Sequence, residues 1–303
     1  MMEILEELGH EVTLYNREDI EESQIDDMPD LYVLWQSDRL LPLLANKNKP
    51  ILCIPMLDDA LPLTVSHFRS VNHVKYVSFS KTMHRFLTLS GCDSSYIQFW
   101  PKIVEVETLK DIPIFFWERN PSHLNLHDVV RNINNKRLNI LVRQLPDPHD
   151  LRQSEFWSKN NQIQFLSKSW IAKEEYIGIV ARSQVFVSSR PWEGIGLSFL
   201  EAMSMGCCVV GFNNPTMNEY IESGITGILI RNRSTPIDLS DAQAIGNRAR
   251  EAAREGSIKF QSSCNEFFTG VLDIALNGKA KRKMRFLPDN LSLRKYIFLR
   301  RLR

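Results

Sequence analysis

The chain has 303 residues, which is enough for two domains of ordinary size, each with its own core. Apolar residues make up 43% of the chain and charged residues 24%, which excludes a collagen-like, low-complexity or wholly disordered protein. The net charge of +1 combines −8 over residues 1–278 with +9 over residues 279–303, so one end of the chain is a basic arm.

The chain begins with MMEILEELGHEVTLY, which carries acids where a signal peptide has a basic patch. No apolar run approaches the roughly 18 residues that would span a bilayer. The five cysteines include no CxxC pair and are odd in number, which favours reduced, buried thiols over a disulfide framework. We therefore expect a cytoplasmic protein.

The N-terminal third predicts a parallel sheet covered by helices. The segment MEILEELGHEV predicts the end of a helix that Gly9 terminates, followed by a strand. A doubly wound unit normally begins with a strand and a glycine-rich turn before that helix, and neither is found here. We expect either a truncated sequence or a sheet without its usual first strand. The predicted strands lie near residues 11–15, 31–36, 50–55, 73–79 and 95–100.

A second series of strands alternates with amphipathic helical stretches, as in a second parallel α/β domain. The polar segment PKIVEVETLKDIP, bracketed by Pro101 and Pro113, predicts a hinge between the two series. We expect an N-terminal domain over 1–105, a C-terminal domain over 106–278 and the arm over 279–303. The strands of the second series are predicted near residues 112–117, 137–142, 162–166, 184–188, 207–212 and 226–230.

The segment VFVSSRPWEGIGLSFLEAMSMG predicts a strand, a glycine turn and a helix. The strand ends near Ser188, the turn carries Gly194 and Gly196, and the helix runs from about Leu197 to Gly206. Glycines let the backbone approach a ligand closely, and the free N–H groups and positive dipole at a helix start favour an anion such as diphosphate. The motif is neither a dinucleotide fingerprint nor a P-loop, because Phe199 holds the third glycine position and GK[ST] is absent.

Two acids flank this turn, Glu193 and Glu201. Eight steps of helix place them about 12 Å apart, beyond the roughly 5–9.5 Å that separates the two carboxylates of a glycoside hydrolase. The spacing suits opposite ends of an elongated ligand, such as a nucleotide diphosphate sugar. The alternative is a solvated helix residue at Glu201 and a helix-dipole partner at Glu193.

The run EGIGLSFLEAMSMG, followed by VV and NEYIESGITG, resembles the retaining nucleotide-sugar glycosyltransferases of glycosyltransferase family four. The resemblance implies the GT-B fold, in which two Rossmann-like, doubly wound domains face a cleft. It also implies that Glu193 lies beside the donor sugar and that Glu201 holds the ribose. The amides of Gly194, Ile195, Gly196 and Leu197 would then lie near the phosphates and sugar hydroxyls.

The same resemblance implies an arginine on the diphosphate, matched by Arg119, and a lysine five residues later, where this chain has Leu124. A guanidinium can bind phosphate bidentately, although Arg119 could also form a surface ion pair with a neighbour such as Glu118. Arg143 and Arg190, each near a strand end, are candidates for the missing cation.

We expect no metal and no cofactor apart from the donor itself. The chain contains no Asp-x-Asp pair, the usual way in which a sugar transferase holds Mn²⁺ or Mg²⁺ on a diphosphate. His123 and His127 are four residues apart, but no third zinc ligand is evident. The leaving diphosphate would then depend on Arg119 and the helix amides.

Two further segments predict ligand contacts. Thr216 and Glu219 fit a capping box that opens a short helix closed by Gly224, and the resemblance implies that amides from Thr216 to Asn218 lie near the donor sugar. Asp58 follows a buried strand of the first domain and could contact the acceptor hydroxyl and accept its proton, or cap a helix.

The arm KAKRKMRFLPDNLSLRKYIFLRRLR mixes cations with apolar residues, which suits the surface of an anionic bilayer. A solvated, disordered tail is the alternative. Nucleic acid is disfavoured, because the rest of the chain is acidic and no nucleic-acid-binding module is evident. A lipid-linked acceptor would make docking to the inner face of the membrane sensible.

Together these observations predict a GT-B glycosyltransferase that moves a sugar, with retention of configuration, from a nucleotide sugar to a glycan or lipid-linked acceptor. Bacterial surface polysaccharide synthesis is the expected setting, by analogy. The alternatives are a nucleotide-sugar epimerase on the same fold, which needs no acceptor, and a non-catalytic binding or scaffold protein.

Overall fold

A computed structural model gives the protein's fold, in which the chain divides into two compact units. The first unit comprises Met1–Phe99 and Phe260–Arg303, and the second comprises Trp100–Lys259. The predicted boundaries after residues 105 and 278 both lie outside the described residues. The described residues are 2–15, 29–103, 108–134, 139–145, 163–166, 171–277 and 279–301.

The first unit contains a four-stranded parallel sheet with the strand order β1-β2-β3-β4. The apolar run of β2 is buried at every position, as expected for a strand covered on both faces. Its strands are β1 (Tyr32–Trp35), β2 (Ile51–Ile54), β3 (Val74–Ser78) and β4 (Asp93–Tyr96). Its helices are α1 (Met2–Glu7), a 3-10 helix (Asp38–Leu44), α2 (Leu57–Ala60), α3 (Val65–Phe68) and α4 (Lys81–Leu89).

The N-terminal prediction is half right. Helix α1 ends as predicted, with Gly9 in the left-handed region at φ +84° and its amide donating to Glu6 O. The predicted strand at 11–15 is wrong, because these residues form no strand and pair with no other described strand. Leu14, which alternation would bury, is exposed.

The basic arm folds into the first unit over its described residues, so the alternative of a solvated, disordered tail is wrong there. The amides of Lys283 and Phe286 donate to Gly91 O and Leu89 O. Helix α10 (Leu293–Arg301) follows, and it packs against α4. The apolar side chains that this segment buries are Leu291, Leu293, Tyr296 and Ile297.

The second unit contains a six-stranded parallel sheet with the order β10-β9-β8-β5-β6-β7. The chain builds outward from β5 to β7 and then returns to the other side of β5, so a topological switch point lies between β5 and β8. Its strands are β5 (Ile112–Glu118), β6 (Ile140–Gln144), β7 (Ile163–Phe165), β8 (Ser183–Ser188), β9 (Cys208–Phe212) and β10 (Ile228–Ile230).

Helices α5 (Leu126–Asn132), α6 (Lys173–Arg182), α7 (Leu197–Ser204) and α8 (Met217–Tyr220) connect these strands. Helix α9 (Ala242–Leu276) begins in this unit, and the division of the chain falls within it. No helix in the described part of the chain is long and apolar enough to cross a membrane.

Alternating apolar residues of the central strands build the core of the second unit. Ile114 and Phe116 of β5 face Val142 of β6 and Val187 of β8 in one buried cluster. Leu124 is 0% exposed in that same cluster. Ten of the eleven predicted strands are therefore present, and the predicted parallel α/β fold is confirmed.

Candidate functional site

The side chains predicted to bind a donor collect at the carboxyl ends of the second sheet. Ser189, directly after β8, joins the two strands at the switch point. Its hydroxyl accepts from the amides of Arg119 and Asn120, at 2.8 and 2.9 Å, and donates to Trp117 O at 3.1 Å. Ligands of open parallel sheets bind at this kind of crevice, where the strand order reverses.

Two guanidinium groups lie against one aromatic ring at this edge. The Cζ atoms of Arg119 and Arg143 are 4.9 and 4.8 Å from the centre of the Trp117 ring. Trp117 and Arg143 are register partners on β5 and β6, which explains why their side chains meet. Tyr176 of α6 packs on the same ring, with centroids 5.2 Å apart.

Burial makes this cationic pair electrostatically strong. Arg143 is buried, and burial lowers the pKa of its guanidinium, with the charge of Arg119 acting in the same direction. Arginine stays protonated even so, because its ordinary pKa lies above 12. Two fixed positive charges in a partly dry edge attract an anion more strongly than two solvated lysines would.

The loop that carries Arg119 is held by its neighbour in sequence. Glu118 is buried, and its carboxylate accepts from the amide of Leu126, in the first turn of α5, and from the Gln144 side chain, both at 2.8 Å. Arg119 is half-buried, on the opposite side of the strand from Glu118 by the alternation of β5. Glu118 thus fixes the connection from which Arg119 extends.

The position at which the resemblance implies a lysine carries Leu124, whose side chain lies in the core. Of the two proposed replacements, Arg143 shares the Trp117 ring with Arg119, whereas Arg190 forms an ion pair with Glu193 at 2.9 Å. Arg143 therefore lies on the same aromatic ring as Arg119, and Arg190 lies against Glu193.

Helix α7 begins at the turn, as predicted. Gly196 is its N-cap at φ +80° and ψ +39°, and an added Cβ would lie 1.9 Å from the Phe199 ring. A glycine offers no side chain to cap the first amides, and no acid lies in the first turn. The exposed Leu197 and half-buried Ile195 flank this helix start, so neither flanking side chain is an acid that would offset its positive dipole end.

Thr216 supports the turn in a way that the sequence did not predict. Its hydroxyl donates to Glu193 O at 2.6 Å, and no side-chain cap bond forms at α8, so the predicted capping box is wrong. Helix α8 also ends at Tyr220, four residues before Gly224. Thr216 has φ +76° and ψ −67°, a strained conformation for a β-branched residue, of a type that clusters at ligand sites.

The two predicted acids differ in their surroundings. Glu193 is 4% exposed and paired with Arg190. Glu201, on α7, is half-buried, and burial raises its pKa while the charge of Lys173 acts in the opposite direction. Burial raises the pKa of Tyr176, a residue that packs on Trp117, and the charge of Glu201 acts in the same direction while the two arginines oppose it, so Glu201 belongs to the same electrostatic cluster.

The asparagines after β9 complete this edge. The Asn218 side chain donates to Asn213 Oδ1 at 3.0 Å, and Asn214 donates to Pro191 O at 2.6 Å. The second contact ties the end of β9 to the turn that carries Glu193 and Gly194. These bonds hold the backbone that the sequence predicted near a donor sugar.

In the first unit, Asp58 lies at the carboxyl end of β2 but is not a helix cap. Helix α2 begins after Met56, and Asp58 and Asp59 lie in its first turn. Sequence reasoning missed a third acid there. Asp38 is 1% exposed, and burial raises its pKa from 3.8 to about 6, with His67 lowering and Asp59 raising it.

The histidines are engaged in polar contacts. His123 Nδ1 donates to Asn120 Oδ1 at 2.6 Å, and His67 and His84 lie in α3 and α4. Within the residues that the structure describes, no group of three or more His, Cys, Asp or Glu side chains is arranged to hold a metal ion.

Comparison with known proteins finds sugar transferases among the proteins that this chain resembles. The family model of "Glycosyl transferases group 1" matches residues 122–245. An alpha-1,6-glucosyltransferase of Actinobacillus pleuropneumoniae serotype 7 (strain AP76) is 31% identical over 72 residues. An uncharacterized 41.2 kDa protein in the cps region of Klebsiella pneumoniae is 29% identical over 99 residues.

These alignments cover 23% and 31% of this chain, and they span only 22% and 28% of the two relatives. The crystal structure of Anabaena Alr3699/HepE in complex with UDP and glucose matches with a TM-score of 0.57 at 14% identity, over 80% of this chain and 78% of HepE. The chain therefore has the GT-B fold, and residues 122–245 of its second unit match the glycosyl transferases group 1 family model.

Proposed function

We propose that the protein is a glycosyltransferase that moves a sugar, with retained anomeric configuration, from a nucleoside diphosphate sugar to a glycan or lipid-linked acceptor. The observation that carries the proposal is the pair of guanidiniums, Arg119 and Arg143, on the Trp117 ring at the switch point of the second sheet. A diphosphate is the anion that matches two such forks beside a free helix start.

The leaving group determines the chemistry. When the bond between the anomeric carbon and the diphosphate oxygen breaks, the electron pair leaves with the oxygen, and negative charge grows on the β-phosphate. Arg119, Arg143 and the first amides of α7 lie ready to stabilise that charge without reorganisation, which is usually the largest catalytic term. We propose that these groups do the work for which other sugar transferases use a divalent cation.

Glu193 and Glu201 would bind opposite ends of the donor. Glu201, in the electrostatic cluster of the two arginines, would accept from the ribose hydroxyls. Glu193, held by Arg190, would lie beside the oxocarbenium-like sugar and stabilise its positive charge. The acceptor oxygen then bonds to the anomeric carbon on the face that the diphosphate left, and its proton moves to a phosphate oxygen or to Asp58.

The similar proteins support a hexose donor. One relative is named an alpha-1,6-glucosyltransferase, and the matched HepE structure contains UDP and glucose. The Klebsiella pneumoniae relative is described as lying in a cps region, which supports the proposed setting in surface polysaccharide synthesis.

The test compares two arginines of the same unit. We expect UDP to raise the melting temperature of the wild type and UMP to raise it less, because the second phosphate engages the guanidinium pair. Arg119→Ala should lower UDP affinity by about 10- to 100-fold and abolish the preference for UDP over UMP. The control is Arg182→Ala, which removes an exposed arginine paired with Asp111 at the amino-end edge.

Equal UDP affinity for the wild type and Arg119→Ala would overturn the proposed diphosphate site. A nucleotide-sugar panel with and without glycan acceptors identifies the reaction. Product that forms only with an acceptor, keeps its anomeric configuration and is unaffected by a chelator supports the metal-independent retaining transferase. Conversion of the donor to a different nucleotide sugar without an acceptor would instead identify an epimerase.

We also propose that the arm over residues 279–303 docks the protein on an anionic membrane surface. Met284, Phe286 and Phe298 are exposed there among the cations, an arrangement suited to the boundary between headgroups and acyl chains. Deleting the arm would be a poor test, because α10 contributes buried side chains to the first unit. Met284→Ser with Phe286→Ser should reduce sedimentation with anionic vesicles and leave the melting temperature unchanged; unaltered sedimentation would contradict docking.

A further inference from the structure

An exposed tryptophan lies at the carboxyl-end edge of the first sheet. Trp35 is the last residue of β1 and is 39% exposed, so a large part of its apolar ring contacts solvent. Its ring packs on Phe79, with centroids 5.7 Å apart, and Phe79 packs in turn on Phe99 at 5.7 Å. Because the buried Phe79 ring supports it, Trp35 presents an aromatic surface to solvent.

Hydrogen-bonding groups lie at the same edge of the sheet as this ring. Gln36 follows Trp35 in the chain, and its side-chain amide donates to Asp59 Oδ2 at 3.2 Å. Gln36 has φ +51°, in the left-handed region that few non-glycine residues adopt. Because Trp35 ends β1 and Asp59 follows the parallel β2, the aromatic ring, the amide and the carboxylate share one edge, a combination of polar and apolar groups typical of small-molecule sites.

A buried acid lies behind this edge. Neither carboxylate oxygen of Asp38 accepts a hydrogen bond from another residue in the part of the chain that the structure describes, although the side chain is 1% exposed. Its backbone carbonyl contacts His67 Nε2 at 2.8 Å. An acid left unpaired inside a protein costs stability, so its presence here needs a reason beyond packing.

The surroundings of Asp38 indicate the sign of the potential at this edge. The charged groups that act on it are His67, Asp59 and Arg39. Asp58 and Asp59 add two more acids in the first turn of α2. A concentration of carboxylates disfavours an anion such as phosphate and favours a neutral ligand rich in hydroxyl donors.

We propose that Trp35 is the stacking platform for a neutral pyranose ring of the acceptor, whose hydroxyls bond to Asp59 and Gln36. The apolar C–H face of a sugar matches the flat ring, and its hydroxyl edge matches the amide and the carboxylate. This inference rests on the proposed function and narrows it: the acceptor ends in a sugar, whether or not a lipid carries that sugar. Asp38 is buried, so it does not contact the sugar, and it adds to the negative charge of this edge.

The experiment measures sugar binding by the full-length protein without any donor. The probes are the methyl α- and β-glycosides of glucose, galactose, N-acetylglucosamine and rhamnose, observed by saturation-transfer NMR at millimolar concentration. We expect at least one glycoside to bind the wild type. Trp35→Ala should weaken that binding about tenfold or more, and Trp35→Phe should retain part of it.

The matched control is Phe286→Ala, which removes an aromatic ring that is 68% exposed in the same unit. The Phe286 amide bonds to Leu89 O at the end of α4, and a helix that follows β3 ends at the amino-end edge of the sheet, opposite Trp35. Phe286→Ala should therefore leave glycoside binding unchanged. The melting temperatures of both variants show that the fold is intact.

The outcomes separate this inference from the function on which it rests. If no glycoside binds the wild type, or if Trp35→Ala binds as well as the wild type, the platform is overturned even where UDP binding is normal. If glycosides bind through Trp35 but no nucleotide sugar is bound or turned over, the transferase proposal fails instead. In a working enzyme, Trp35→Ala should raise the acceptor KM and leave donor hydrolysis unchanged.

Discussion

The two parallel sheets present opposite charge at equivalent edges. At the carboxyl ends of the first sheet lie the acids Asp38 and Asp59 beside the exposed Trp35, whereas the second sheet carries Arg119 and Arg143 on Trp117. Strand direction determines where a ligand binds in both, since each loop that follows a strand opens at that edge. Under the proposed function, the side chains in those loops determine which ligand binds: a sugar with hydroxyl donors at one edge and an anion at the other.

The helices that begin at these two edges also differ in the charge of their first turns. Helix α2 has only four residues and begins with Asp58 and Asp59, whose charges already satisfy its positive dipole end. Helix α7 has eight residues, a glycine cap and no acid in its first turn. Only the second arrangement leaves a helix dipole available to a phosphate.

Disrupting the glycine-capped start of α7 should have the largest effect on stability and UDP binding. In Gly196→Ala the new Cβ would meet the Phe199 ring at 1.9 Å, and the residue would have to keep φ +80°. We expect a loss of about 3 kcal/mol of unfolding free energy and a loss of UDP binding, because the start of α7 must move. Calorimetry with UDP and denaturant unfolding measure the two effects.

Gly178→Ala is the control for that substitution. Gly178 lies in α6 of the same unit, and a Cβ there would meet nothing within 4 Å. Alanine in a helix interior should raise stability by about 0.5–1 kcal/mol and leave UDP affinity unchanged. If Gly196→Ala binds UDP as tightly as the wild type does, the start of α7 does not bind the diphosphate.

Neutralising the acidic edge tests the other half of the comparison. The pKa of Asp38 is raised to about 6, so the folded protein binds this proton more tightly than the unfolded chain does. Stability should therefore fall as pH rises from about 4 to about 6, by about 3 kcal/mol at most. Asp38→Asn removes this loss. The unfolding free energy of the variant should therefore rise relative to that of the wild type between about pH 4 and about pH 6, and the difference should stay constant at higher pH.

Denaturant unfolding at about pH 4 and about pH 7.5 measures this difference. Asp111→Asn is a control of opposite sign, because the Arg182 side chain lowers the pKa of that exposed carboxyl. The stabilising contribution of the ionised Asp111 carboxyl is present above the ordinary pKa of an aspartate and is lost on acidification. If the difference in unfolding free energy between Asp38→Asn and the wild type does not change with pH, Asp38 is not an unpaired acid in a buried site.

Local patterns predicted most of this architecture. Apolar runs that alternate with amphipathic helical stretches located ten strands, and the glycine turn before Leu197 located the start of α7. These signals are local, so one sequence suffices to recognise them. The wrong strand at 11–15 shows the limit, because alternation does not supply the neighbouring strand that a sheet needs.

Features that depend on distant parts of the chain were not predictable. The segment TMNE has the spacing of a capping box, but the Thr216 hydroxyl bonds to a carbonyl 23 residues earlier. Asp38 is a single acid in an unpatterned stretch, and only the packing of the first unit buries it. The many cations of the arm left a solvated tail as an alternative, yet several apolar residues between them are buried and α10 packs on α4.

The two acids near the cationic edge should separate binding from chemistry. Glu201→Gln keeps the shape of the side chain and removes its charge, so UDP affinity should fall about tenfold through weaker bonds to the ribose. Glu193→Gln should leave UDP affinity close to that of the wild type and lower kcat, because we propose that this acid lies beside the donor sugar. UDP affinity that is equal for the wild type and Glu201→Gln would contradict the two-ended donor.

The smallest effect should come from the strained residue that supports the turn. Thr216→Val keeps the β-branched shape but removes the hydroxyl that donates to Glu193 O. We expect a loss of about 1 kcal/mol of unfolding free energy, since a buried carbonyl loses its partner, and a severalfold lower kcat as Glu193 shifts. Thr216→Ser keeps the hydroxyl and should restore both, which denaturant unfolding and initial rates would show. If Val and Ser behave alike, the contact with Glu193 contributes nothing, and the strained backbone rather than the hydroxyl maintains the turn at the cationic edge.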